Sequence, residues 1–233
     1  MEVPLMAKDK FFEQRRERNP DRKAGRKEPK PDTFLILSEG SKTEPLYFDG
    51  LRDYINAHYG DSIRSEKPLI HTEGRGRCTV KLVEETAHYV ARCKKDYSQV
   101  WVVFDRDDNI DFDEAIRLAH KKGYHVAWSN RSFEYWIFLH FRSAEVALDQ
   151  SGWTKKIDEI FKQKQISPNG YEKNNSKIFE ICITHGSLKD AVKRAKEQET
   201  SFSKNTIASK CDPCTHVHHL IHELSPYLKE LLC

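Results

Sequence analysis

The sequence predicts an α/β fold: a parallel β-sheet flanked by helices, followed by an α-helical C-terminal extension. Three observations predict it. Two apolar runs, Thr33-Phe34-Leu35-Ile36-Leu37 and Val100-Trp101-Val102-Val103-Phe104, are continuous rather than alternating, as strands buried on both faces are. Strand-like and helix-like segments then alternate up to about residue 145, the order expected of a parallel sheet with helical crossovers. Beyond that point only helical patterns recur.

The elements follow in order. A strand over 33–38 leads into a loop over 39–43. A helix starts near Glu44-Pro45, since Pro suits a first helical turn, and Tyr47, Phe48, Leu51, Ile55 and His58 form its stripe. A short strand over 68–71 precedes the loop Glu73-Gly74-Arg75-Gly76-Arg77. The next helix, 78–94, is expected to bury Val80, Val83, Ala87, Val90 and Ala91. A third strand spans 99–104 and ends at Asp105. The helix after it carries Phe112, Ala115, Ile116 and Ala119 and stops at Gly123. The fourth strand is 124–128, and Ser132 is placed to cap the helix that follows. Helices over 154–164, 175–184, 187–199 and 215–232 complete the chain, with Pro226 expected to kink the last.

These elements divide the 233 residues into a basic mobile tail (1–31), an α/β domain (32–145) and a helical region packed on it (146–233). The net charge is +3, but residues 1–30 hold ten Lys/Arg and six Asp/Glu, leaving 29 against 30 in the rest. The body is therefore not basic enough for charge alone to force tight, nonspecific nucleic-acid binding. A solvated tail, with a transient helix over 8–18, is the plainer reading of 1–31. No apolar stretch is long enough to span a bilayer, and the N-terminus lacks the apolar core of a signal peptide. Six cysteines, at 78, 93, 182, 211, 214 and 233, do not make a disulfide framework for a chain of this size. Reduced thiols and a cytoplasmic location are expected.

Carboxylates gather where three strands end. Glu39 and Glu44 follow the first strand, Asp105 and Asp107 follow the third, and Glu134 follows the fourth. In a parallel sheet these ends share one edge, so acids distant in sequence can converge where open α/β sheets place their sites. Clustered oxygen donors select hard cations such as Mg²⁺ or Mn²⁺, and two such ions could bridge a scissile phosphate. Lys42 and Arg106 could offset developing negative charge. Taken singly, each acid has a plainer role. Asp107, Asp108 and Asp111 could cap the helix at 111–121, and Glu44 and Glu134 could complement helix dipoles. The joint pattern is what favours a metal-dependent enzyme acting on phosphates.

Four stretches carry a family likeness. Phe34-Leu35-Ile36-Leu37-Ser38-Glu39-Gly40-Ser41-Lys42-Thr43-Glu44-Pro45-Leu46-Tyr47-Phe48 resembles the opening of RloB-like proteins. Val103-Phe104-Asp105-Arg106-Asp107 and Ser129-Asn130-Arg131-Ser132-Phe133-Glu134-Tyr135-Trp136 resemble later segments, and Pro213-Cys214-Thr215-His216-Val217-His218 resembles a C-terminal Pro-x-Thr-x-Val-His signature. The resemblance covers roughly 33–222. Ser38 stands where many relatives have Cys, and Arg131-Ser132 where Pro-Cys is common; neither change removes an acid.

That family is similar to the Toprim superfamily, and the resemblance implies a Toprim-like sheet. Its Glu after the first strand and Asp-x-Asp after a later one match Glu39, Asp105 and Asp107. It further implies a Mg²⁺-dependent (or Mn²⁺-dependent) nuclease in bacterial anti-phage defence, acting on DNA or RNA beside an AAA/ABC-type ATPase. The catalytic set expected is Glu39, Lys42, Glu44, Asp105, Asp107 and Glu134, with all but Lys42 as metal ligands. The main alternative is a non-catalytic Toprim module that binds nucleic acid or regulates the ATPase. Primase-like nucleotidyl transfer is a third reading, disfavoured by the short chain.

Weaker signals remain. Cys211-x-x-Cys214-x-His216-x-His218 invites a zinc reading, but the spacing is compressed and Cys214 falls at a variable position of the signature. Gly74-x-Gly76 could cradle a phosphate, though a flexible turn explains it as well. The Lys/Arg scatter over 155–204 could flank a substrate groove or cover solvated helix faces.

Overall fold

The computed structural model describes residues 33–40, 42–59, 69–74, 79–93, 96–107 and 109–233. The N-terminal tail, the Arg75–Gly76–Arg77 turn and Asp108 lie outside the described residues. The elements run β1 (Thr33–Ser38), α1 (Thr43–Tyr59), β2 (Leu69–Gly74), α2 (Thr79–Arg92), β3 (Gln99–Asp105), α3 (Phe112–Lys121) and β4 (His125–Asn130). Next come α4 (Phe133–Leu139), α5 (Gln150–Gln163), α6 (Ile178–His185), α7 (Leu188–Thr200), β5 (Cys214–Thr215), α8 (Val217–Glu223) and α9 (Lys229–Leu232).

The sheet order is β2-β1-β3-β4-β5. The first four strands are parallel, with Phe34 beside Gln99 and Trp101 beside His125 in register. β5 is the exception: two residues pair antiparallel with the end of β4, Ser129 with Thr215 and Asn130 with Cys214. No alternation was visible in so short a segment, and residues 214–215 are strand where a helix from 215 was expected.

Successive strand residues face opposite sides, so the continuous apolar runs feed two cores. Phe34, Ile36, Trp101, Val103 and Ala127 join one core with α1, α4 and the C-terminal helices. Leu35, Leu37, Val100, Val102, Phe104, Val126 and Trp128 join the other, under α2 and α3. The C-terminal helices share the first core with the sheet, and Gly50 on α1 shows how close they come. A Cβ at Gly50 would stand 2.7 Å from Phe179 Cβ on α6.

Several local expectations need correction. α2 fully buries Thr79, Leu82, Val83 and Thr86; of the other expected positions Val80 and Val90 pack half-buried against the second core, Ala87 is half-buried and Ala91 is exposed. Both threonines tolerate burial because their hydroxyls are satisfied, Thr86 by donating to Leu82 C=O at 2.7 Å and Thr79 by Asp111. Asp111 therefore caps α2, accepting also from Val80 N–H at 3.4 Å, and makes no cap bond to α3. β4 continues through Ser129 and Asn130, which pair with β3 or β5 instead of closing a turn. The last helix is broken outright: α8 ends at Glu223, a 3₁₀ turn at Ser225–Tyr227 carries Pro226, and α9 follows. Pro226 has no N–H to give a continuing helix.

Candidate active site

β1 and β3 are neighbours, yet the chain leaves them on opposite faces of the sheet. β1 feeds α1, which packs in the first core, and β3 feeds α3, which packs in the second. The two connections part above the strand ends and open a crevice there, the switch point of an open α/β sheet. Glu39 follows β1 directly, and Asp105 is the last residue of β3.

Backbone bonds extend the ladder into the loops and fix the acids. Glu39 N–H donates to Val103 C=O at 2.8 Å. Arg106 N–H donates to Ser129 C=O at 2.9 Å, and Asp107 N–H to Arg131 C=O at 3.0 Å. Asp107 sits at φ 38°, in the left-handed region that Asp tolerates better than most residues. These constraints bring all six sequence-predicted residues together. Glu39, Lys42, Glu44, Asp105, Asp107 and Glu134 line one cavity of about 210 Å³.

Asp105 has a second role that the sequence hid. Its Oδ2 accepts Phe133 N–H at 2.8 Å, so this carboxylate caps α4. Ser132, expected to be the cap, makes no side-chain cap bond, and its hydroxyl is buried without a partner among the described residues. The cap ties the Asp105 loop to the start of the helix that carries Glu134.

The electrostatics are those of acids crowded out of water. Burial pushes the Glu39 carboxyl up to about 7, with Asp107 and Glu44 adding repulsion. Burial likewise pushes Glu44 up to about 7, with Glu134 nearby. Asp105 is raised well above the usual carboxylate range by burial, then by Glu44 and Glu134. Asp105 Oδ1 and Glu39 Oε2 are buried without a hydrogen-bond partner among the described residues. Buried acceptor atoms facing other carboxylates are costly unless a cation satisfies them. Hard oxygen donors with orphaned atoms fit Mg²⁺ or Mn²⁺.

Sequence reasoning passed over some members of this site. Lys173 lies in the connection between α5 and α6, and its Nζ is 3.0 Å from Glu134 Oε1. Thr43 Oγ1 donates to Lys173 C=O at 3.0 Å, holding that connection against the start of α1. Asn109 Nδ2 donates to Glu39 Oε1 at 3.4 Å. In the sequence Lys173 is one of the scattered lysines of 155–204, and no spacing singles it out. A wider cavity of about 810 Å³ adjoins the acids, lined by Glu39, Asp107, Arg106, Arg131 and Ser151 among others.

Other polar groups do not line this crevice. His140, at the end of α4, is buried, its Nε2 3.1 Å from Tyr47 Oη, and burial holds its pKa down to about 4. The proposed cysteine–histidine zinc set does not assemble. Cys211 and Cys214 belong to the second core, and among the described residues the ligand atoms that come within 4.8 Å of one another there are those of Glu199, His218 and His219. Cys182, Cys211, Cys214 and Cys233 form no disulfide. Among the described residues no helix is long and apolar enough to cross a membrane.

Fold and crevice together define an α/β protein that gathers carboxylates over the switch point of a mostly parallel sheet. The family model described as RloB-like protein matches residues 34–224, and the chain belongs to the RloB-like family. No curated protein and no solved structure matches it.

Proposed function

We propose that this chain is a Mg²⁺- or Mn²⁺-dependent nuclease of the Toprim type that hydrolyses nucleic-acid phosphodiesters. The observation that carries the reading is the convergence of Glu39, Glu44, Asp105, Asp107 and Glu134 on one crevice, with buried acceptor atoms left unsatisfied. Glu39, Asp105 and Asp107 would hold the divalent ion, with Glu44 at the margin. Bound there, the ion supplies a Lewis acid for a phosphoryl oxygen and lowers the pKa of water.

The remaining work falls to the chain itself. Hydrolysis adds water across the phosphodiester, so one proton leaves the attacking water and one reaches the departing oxygen. Glu44, with its carboxyl pushed up to about 7, is suited to exchange a proton near neutral pH. Glu134, paired with Lys173, orients that region. Lys42 lines the crevice and offsets negative charge, and Arg106 and Arg131 in the adjoining cavity suit flanking phosphates. The anti-phage setting and an ATPase partner follow the family resemblance.

The test is cleavage of single- and double-stranded DNA and of RNA by the purified full chain with Mg²⁺ or Mn²⁺. It is run alone and with any ATPase encoded beside the gene. Metal-dependent cutting that Asp107→Ala removes is the expected result. No cutting under any condition sinks the nuclease reading. Mn²⁺ binding that Asp105→Ala abolishes, without cutting, would instead identify the non-catalytic module.

A further inference from the structure

A second polar cluster lies apart from the acidic crevice. Glu199, near the end of α7, meets three histidines: His216, between β5 and α8, and His218 and His219 in the first turn of α8. His216 Nε2 is 3.0 Å from Glu199 Oε1, and His218 Nε2 is 3.0 Å from Oε2. His219 Nε2 is 3.1 Å from both oxygens. The ligand atoms of Glu199, His218 and His219 all lie within 4.8 Å of one another. Around a tetrahedral Zn²⁺, with ligands at roughly 2.0–2.2 Å, neighbouring donor atoms stand roughly 3–3.5 Å apart.

This cluster does not close as a purely internal hydrogen-bond network. His218 Nδ1 lies 3.0 Å from Thr215 C=O, which can only accept, so Nδ1 carries the proton. In the neutral ring Nε2 is then a bare lone pair, and it points at a carboxylate oxygen. Two acceptors face each other unless a proton, on the ring or on the carboxyl, or another cation sits between them. Burial works against the charged ring, since the His218 side chain is only 5% exposed. The Nδ1–H to backbone carbonyl bond is also the arrangement that fixes a metal-ligating histidine.

We infer that Glu199, His218 and His219 form a binding site for a borderline transition-metal ion, Zn²⁺ above all, with His216 orienting the Glu199 carboxylate. Two neutral imidazoles and one carboxylate are a donor set for Zn²⁺ rather than for Mg²⁺. The ion would clamp the end of α7 to the first turn of α8, two helices whose connection runs through residues 201–216. Glu199 and His216 also line a cavity of about 620 Å³, so an open coordination position could be reached from solvent. Cys211 and Cys214 line the same cavity, but neither belongs to the group whose ligand atoms lie within 4.8 Å of one another. The site is independent of the nuclease reading.

The experiment is Zn²⁺ titration by calorimetry of full-length protein stripped with a chelator, with Co²⁺ absorption as a second readout. The expected result is about one tight equivalent retained in Glu39→Ala, which disables the acidic crevice. His218→Ala and His219→Ala weaken it by more than about 100-fold, and His216→Ala by about 10- to 100-fold. His219 is half exposed, so its variant keeps the fold, checked by circular dichroism. Co²⁺ gives visible bands without thiolate charge transfer, and a Cys211→Ser/Cys214→Ser double variant still binds. Absence of stoichiometric Zn²⁺ binding overturns the assignment. So does binding that survives His219→Ala, or thiolate bands that vanish with the cysteines.

Discussion

The acidic crevice and the histidine cluster are both places where buried acceptors face each other, and they differ in how the conflict arises. In the crevice, carboxylates from four separate segments repel one another, and burial drives Glu39 and Glu44 toward protonation near pH 7. In the cluster a single carboxylate meets three imidazoles, and burial keeps His216 and His218 neutral far below pH 7. The first arrangement suits a hard cation that keeps its waters; the second suits a borderline ion held by nitrogen. One molecule thus offers two donor sets of different chemistry.

The comparison breaks most directly at the crevice. Asp107 is exposed in a loop, so Asp107→Ala should leave the fold intact and lower metal-dependent cleavage by about 10²- to 10³-fold or more. Glu39→Ala should match it. Cleavage at the wild-type rate in either variant would remove the crevice from the chemistry.

A pH series separates the two regions by sign. Glu44 is raised from 4.5 to about 7, so its contribution to stability is present below about pH 4.5 and lost as pH rises through about 7. Glu44→Gln should therefore stabilise the metal-free protein increasingly across that window, by on the order of 1–3 kcal/mol at pH 8, read from denaturant midpoints. His218 is lowered from 6.5 to about 4, so its contribution is present above pH 6.5 and lost as pH falls through about 4. His218→Gln should flatten the acid limb and leave the alkaline one unchanged. Equal profiles for both variants would contradict the contrast.

Gly40 offers a steric lever on one region alone. A Cβ at Gly40 would collide with the Glu44 carboxylate. Gly40→Ala should displace Glu44 and weaken Mn²⁺ binding about tenfold by calorimetry, with Zn²⁺ binding at Glu199 unchanged. The smallest effect belongs to Lys173. Lys173→Met leaves Glu134 buried without its partner and should cost about 1–2 kcal/mol in thermal denaturation, since the lysine is itself 40% exposed. Glu134→Gln in the same chain should recover most of that loss; no recovery would mean the ion pair is incidental.

Much of the crevice was legible because its acids sit next to the strands that place them. Glu39 and Asp105 adjoin continuous apolar runs, and a run of that kind announces both a buried strand and its end. The helix faces were less legible. α2 was read as burying Val80 and Val90, because hydroxyl-bearing Thr79 and Thr86 look polar until Asp111 and Leu82 C=O satisfy them. Caps were misassigned for a similar reason. Ser132 stands at the right position for α4, yet the bond comes from Asp105, 28 residues away.

The sequence by itself determined the parallel strands, their helical crossovers, the RloB-like family and the acids at three strand ends. Those properties are written in neighbouring residues, through periodicity, runs and short motifs. Only the tertiary structure decided the strand order that opens the switch point between β1 and β3. It alone brought Lys173 to Glu134 and replaced two cysteines by Glu199 and His219 beside His218. Such meetings depend on which faces pack together, and packing is a sum over the whole core that no local pattern carries.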